Sequence, residues 1–84
     1  MPVNQAANSF NLHVAREIRA EMARQGFSQV RLGALLGISQ QAISNRLRGE
    51  VELTLGDVDQ ILQILDIPLE QVLPPRPENQ RRAS

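Results

Sequence analysis

Eighty-four residues with nine basic and nine acidic side chains and a net charge of zero fit one small domain, with a single core and no cleft between two layers for an enzyme. With no Cys in the chain, a disulfide framework, thiolate chemistry and a zinc finger are excluded, and the single His13 cannot make a metal site by itself. No apolar run is long enough to span a membrane, and the N-terminus lacks a signal-peptide core. A cytoplasmic protein is the expectation, with no cofactor and no catalytic site.

In chain order, residues 1–8 are polar and read as a flexible arm. Ser9 is a good N-cap for a first helix over Phe10 to Gln25. Phe10, Val14, Ile18 and Met22 step by four along its buried stripe, with Leu12 and Ala15 at the edges. Arg16, Glu17, Arg19 and Glu21 face out, and His13 reads as a helix-surface residue. Gly26 ends the helix, and Phe27 plugs the gap before the next one.

Two short helices follow, broken at Gly37. Ser28 caps the first. Leu32, Leu35 and Leu36 form its apolar stripe, and the small Gly33 and Ala34 let another helix come close. Gly37 supplies the left-handed residue that ends it. Ile38 anchors the turn and Ser39 caps the second helix.

That second helix carries the chemistry. Ala42, Ile43 and Leu47 make a narrow apolar stripe. Gln41, Ser44, Asn45 and Arg48 lie at i, i+3, i+4 and i+7 and share another face, with Gln40 at the exposed N-terminal tip. In a major groove, Gln and Asn bond bidentately to adenine and Arg to guanine. The alternative is an ordinary solvated face. From Arg24 to Arg48 the charged residues are Arg24, Arg31, Arg46 and Arg48, with no acid among them.

Gly49 closes this helix, and Val51 and Leu53 are expected to tuck inward from the loop. Thr54 caps a fourth helix, with Asp57 making an imperfect capping box. Leu55, Val58, Ile61, Leu62 and Leu65 form its buried stripe, and Asp66 sits unfavourably near its C-terminus. Pro68 opens a fifth, short helix to Leu73, with Leu69 and Val72 facing in. Pro74-Pro75 stops it, and 75–84 reads as a disordered tail. The fold class is therefore all-α, a compact five-helix bundle over 9–74. From Glu50 to Glu70 every charge is acidic. A basic half and an acidic half suit a one-sided nucleic-acid surface.

The stretch Ser28-Gln29, Leu32, Gly37, Ile38-Ser39-Gln40-Gln41, Ile43-Ser44 and Gly49 resembles the helix-turn-helix of the phage repressor and Cro family, the Cro/C1 or XRE type. The similarity runs from about Arg19 to Leu73. It implies a lambda-repressor-like DNA-binding domain whose third helix enters the major groove. The implied function is a repressor or Cro-like regulator of a bacterium, phage or mobile element. It acts on double-stranded DNA, as a homodimer on a palindromic operator. Gln40, Gln41, Ser44 and Asn45 are then the base readers, with Arg48 reaching guanine or phosphate. Ser39, Gln29, Arg31 and Arg46 are the phosphate contacts.

Four positions depart from the family. Gly33 replaces its usual Ala, weakening the helix by roughly 1 kcal/mol. Arg46-Leu47 replaces an apolar residue and Glu, so that Leu47 takes the core role and Arg46 is left outside. Arg31 stands where many relatives have Glu, in the first turn, against the helix dipole. A cation there suggests that an anion arrives, and Gln29 and Arg31 are read as a joint phosphate clamp. The apolar, acidic segment Leu53 to Leu73 is the candidate dimer surface. Two alternatives remain at this level: an antitoxin with a toxin partner, and a helical module that binds protein in place of DNA.

Overall fold

The computed structural model describes residues 2–75, with side chains from Ser9 onward. Four α-helices follow one another: α1 Pro2–Gln25, α2 Gln29–Leu36, α3 Gln40–Leu47 and α4 Leu55–Leu65. A single 3-10 turn, Leu69–Gln71, comes last. The described residues are thus all-α, but with four helices in place of the expected five. The expected fifth helix is cut short. Pro74 and Pro75 disfavour the helical conformation in the residue before each of them. Too few residues remain between Pro68 and Pro74 to repay the nucleation of an α-helix. The tail expected over 75–84 lies, beyond Pro75, outside the described residues.

α1 begins at Pro2, not after Ser9, so Ser9 lies inside the helix and caps nothing. Proline at a first helical position suits its fixed φ, and Gln5, Ala6 and Ala7 are helix formers that carry the turn forward.

All four helices end in the same way. At the end of α1, Gly26 N–H donates to Ala23 and Phe27 N–H to Met22. The pattern recurs at Gly37 and Ile38, at Gly49 and Glu50, and at Asp66 and Ile67. In each pair the first residue has positive φ, the geometry of a Schellman cap. Asp66 is the one non-glycine residue that adopts it, at φ 59°. Gly49 has two reasons to be glycine. Its φ is +84°, and a Cβ there would land on the Leu12 side chain.

The core is Val14, Ala15, Ile18 and Met22 of α1, Leu32 of α2, Ile43 and Leu47 of α3, Leu53, then Ile61, Leu62, Leu65 and Val72. Phe27, Leu36, Ile38 and Val58 pack around it. Several expected core residues lie outside. Phe10, Leu35, Val51, Leu55 and Leu69 are all exposed, Leu55 at 90%. Helical spacing identifies a face but not how far the neighbouring element extends along it. Leu55 is the first residue of α4 and stands beyond the reach of the other helices. Val51 sits in a loop that turns back only at Leu53.

Polar side chains join the scaffold at three places. Asn11 Nδ2 donates to the Leu53 carbonyl at 3.3 Å, and Leu53 N–H donates to Asn11 Oδ1 at 3.4 Å. Gln25 Nε2 donates to the Leu65 carbonyl at 2.8 Å. Glu21, expected to face out, is half-buried and accepts from Arg24, Gln25 and Gln71. Its carboxyl is held below the usual carboxylate range, chiefly by the Gln25 hydrogen bond and next by that from Arg24.

Candidate nucleic-acid interface

The site is built on α2, α3 and the turn between them. Ser28 Oγ accepts from Arg31 N–H at 3.1 Å, and Ser39 Oγ accepts from Ala42 N–H at 3.0 Å, so both helices carry the expected N-caps. Each cap stabilises its helix by about 1 kcal/mol. Gly37 takes φ 78° and closes α2. Gly33 is buried and lets the α2 backbone lie against the turn: a Cβ there would be 2.9 Å from the Ile38 carbonyl oxygen.

Ile43 and Leu47 anchor α3 from beneath, at 0% and 1% exposure. Leu47 therefore has the core role expected of it. On the outer side Gln40, Gln41 and Arg48 are exposed, and Ser44 and Asn45 are half-buried. Three of these side chains are joined. Gln41 Nε2 donates to Asn45 Oδ1 at 3.0 Å, and Arg48 Nη2 donates to the same oxygen at 3.0 Å. Arg48 also pairs with Glu50 at 3.2 Å. The face is a polar ladder, and its rungs follow from the i, i+4 and i, i+3 spacings.

The expected phosphate residues divide. Ser39 is exposed at the tip of α3, and Gln29 is half-buried at the start of α2. Arg31 is exposed, and its guanidinium lies over the Phe27 ring at 4.5 Å from the centroid. This cation–π contact gives Arg31 a partner that the sequence reading missed, worth about 0.5–1 kcal/mol at an exposed site. The signal was present as Phe27 and Arg31 flanking one capped turn.

Arg46 does not stand outside. Its side chain is 25% exposed and its Nε donates to Asp57 Oδ2 at 3.3 Å, while Nη1 donates to the Ala42 carbonyl at 3.0 Å. Asp57 in turn completes a full capping box with Thr54, accepting from Thr54 N–H at 3.0 Å while Thr54 Oγ1 accepts from Asp57 N–H at 2.9 Å. The box expected to be imperfect is formed, and through Arg46 it fastens the start of α4 to α3.

His13 is half-buried on α1, beside Ser9, Leu12, Arg16 and Arg19. Among the described residues there is no cluster of three metal-ligating side chains. No described helix is long and apolar enough to cross a membrane.

Two capped helices joined by a glycine turn, the second with an apolar underside and a polar outer face, define a helix-turn-helix domain. A family model described as Helix-turn-helix matches residues 18–72. The chain belongs to that family, in its Cro/C1 or XRE type, a family of DNA-binding transcription regulators. No curated protein and no solved structure matches the sequence.

Proposed function

We propose that this protein binds double-stranded DNA sequence-specifically, as a repressor or Cro-like regulator. The observation that carries the reading is the division of α3. Its apolar residues are buried, while Gln40, Gln41 and Arg48 stay exposed, with Ser44 and Asn45 half-exposed beside them. A protein that used this helix only for packing would not need five polar groups on one accessible strip. With α3 in the major groove, Gln40, Gln41, Ser44, Asn45 and Arg48 face base edges. Ser39, Gln29 and Arg31 then contact phosphates at the two helix starts, where backbone N–H groups also point toward an anion. Arg46, paired with Asp57, is left out of the phosphate set and holds α3 against the head of α4.

One domain of this size offers few contacts, so two copies act together. The dimer surface we assign lies within Leu53 to Leu73. Its support is the exposed apolar pair Leu55 and Leu69, which with Val58, Asp59 and Leu62 line a shallow hollow.

The test is selection of bound sites from a random duplex pool. The expected product is a palindromic motif with half-sites about 34 Å apart, one helical turn. Gln41→Ala relaxes the sequence preference while nonspecific affinity remains. Arg31→Glu weakens binding to all sequences and lowers the salt slope by about one. A pool without enrichment contradicts the reading, and an asymmetric motif contradicts the dimer.

A further inference from the structure

We infer that Asn45 reads guanine and not adenine, because the ladder on α3 has already used its acceptor. The inference rests on the proposed DNA reading by α3. A side-chain amide can recognise adenine in the major groove when its oxygen accepts from N6 and its nitrogen donates to N7. That pairing requires a free oxygen. Asn45 Oδ1 is occupied on both lone pairs: Gln41 Nε2 donates to it at 3.0 Å and Arg48 Nη2 at 3.0 Å. A carbonyl oxygen has two lone pairs and no further capacity.

The two Nδ2 hydrogens are spent on no hydrogen bond to the protein among the described residues. In this arrangement Asn45 offers the groove donors alone. A base edge that matches two donors must present two acceptors, and among the four bases guanine does so, with N7 and O6. The same ladder leaves Gln41 its own Oε1 and one N–H, the acceptor and donor that adenine needs. Arg48 holds Asn45 from the other side while its remaining N–H groups stay available. Glu50, paired with Arg48 at 3.2 Å, keeps that guanidinium beside Asn45.

The amide orientation is therefore set before DNA arrives. Gln41 and Arg48 are positioning residues for Asn45 as well as candidate readers. A lone asparagine could turn over and serve either purine, whereas one clamped by two donors cannot do so without breaking two hydrogen bonds.

The experiment is site selection from a random duplex pool with the full chain and with Asn45→Ala, Asn45→Asp and Gln41→Leu, each checked for an unchanged helical spectrum and melting point. The base position at which preference collapses in Asn45→Ala is the one Asn45 reads. The expected result is guanine there in the wild-type motif, preferred over adenine roughly tenfold or more. Asn45→Asp, with acceptors alone, shifts that position toward cytosine, whose N4 donates. Gln41→Leu frees part of Oδ1 and admits adenine at the same position. Adenine at the Asn45 position of the wild-type motif overturns the inference, as does an Asn45→Ala motif identical to the wild type. A pool in which no motif is enriched overturns the DNA-reading proposal itself, and the base assignment falls with it.

Discussion

Helices α3 and α4 are neighbours in sequence and opposites in design. α4 has eleven residues, buries Ile61, Leu62 and Leu65, and begins in a complete capping box. α3 has eight residues and buries only Ile43 and Leu47. Eight residues are too few to hold a helix in water by themselves, so α3 depends on what surrounds it. Gly33 lets the turn press close, Gly49 meets Leu12 of α1, and Arg46 reaches Asp57 at the head of α4. The difference teaches that an exposed reading surface is obtained by borrowing stability. α2 and α1 supply the burial, Arg46 tethers α3 to the head of α4, and α3 is left free to turn most of its side chains outward.

The comparison predicts that damage beneath α3 is as severe as damage in α4. Ile43→Ala and Ile61→Ala remove side chains that are both 0% exposed, and each should lose about 2–5 kcal/mol in denaturant unfolding. A much smaller loss at Ile43 would mean that α3 is not integral to the fold. Gly49→Ala comes next. It places a Cβ on the half-exposed Leu12 side chain at a left-handed residue, which should destabilise by roughly 1–2 kcal/mol, chiefly from the backbone, since Leu12 can swing aside. Pairing it with Leu12→Ala sharpens the point: the double variant recovers the packing part and keeps the backbone part.

Smaller effects probe the connection between the two helices. Thr54→Ala removes the α4 cap and should cost about 1 kcal/mol in thermal unfolding. Arg46→Ala breaks a partly exposed pair with Asp57 and should cost no more than about 1 kcal/mol. Its effect on DNA binding should be larger than on stability if α3 is held at its working angle through α4. Asp66→Asn should stabilise by about 0.3–1 kcal/mol, since it removes a negative charge from a helix C-terminus while keeping a residue that tolerates positive φ.

The last effect is on pH dependence. The Glu21 carboxyl is held low, first by Gln25 and then by Arg24. Its stabilisation is therefore present above the ordinary carboxylate range and is lost as pH falls through its lowered folded value. Glu21→Gln should reduce the acid-side loss of stability in pH-dependent melting, and an unchanged acid limb would remove Glu21 from the scaffold.

Much of the site was legible in the sequence because it is local. Ser28, Ser39 and Thr54 cap helices from positions that side-chain chemistry alone identifies. Gly26, Gly37 and Gly49 end helices where left-handed backbone is needed, and Ile18, Leu32, Ile43 and Leu47 follow from helical spacing. What was not legible depends on residues brought together by the tertiary fold. Arg46 looked free because Asp57 is distant in sequence, and Asn11 gave no sign of bridging to Leu53. The exposure of Leu55 and Leu69 could not be read from their stripe, since nothing in a periodic pattern says where the opposing helix stops. Pro68 is a good helix start, but the stretch it leaves before Pro74 is too short for more than a 3-10 turn. Arg31, placed against the helix dipole, has Phe27 beneath its guanidinium, a partner that charge alone does not reveal.

The most direct test of the account is chemical-shift mapping of isotopically labelled protein titrated with its selected duplex. The account predicts the largest changes at Ser28 to Arg31, at Ser39 to Gln41, and at the side-chain amides of Gln41 and Asn45 with Arg48, with smaller changes at the assigned dimer surface around Leu55, Val58 and Leu69. Changes centred on α4 with the outer face of α3 undisturbed would contradict it.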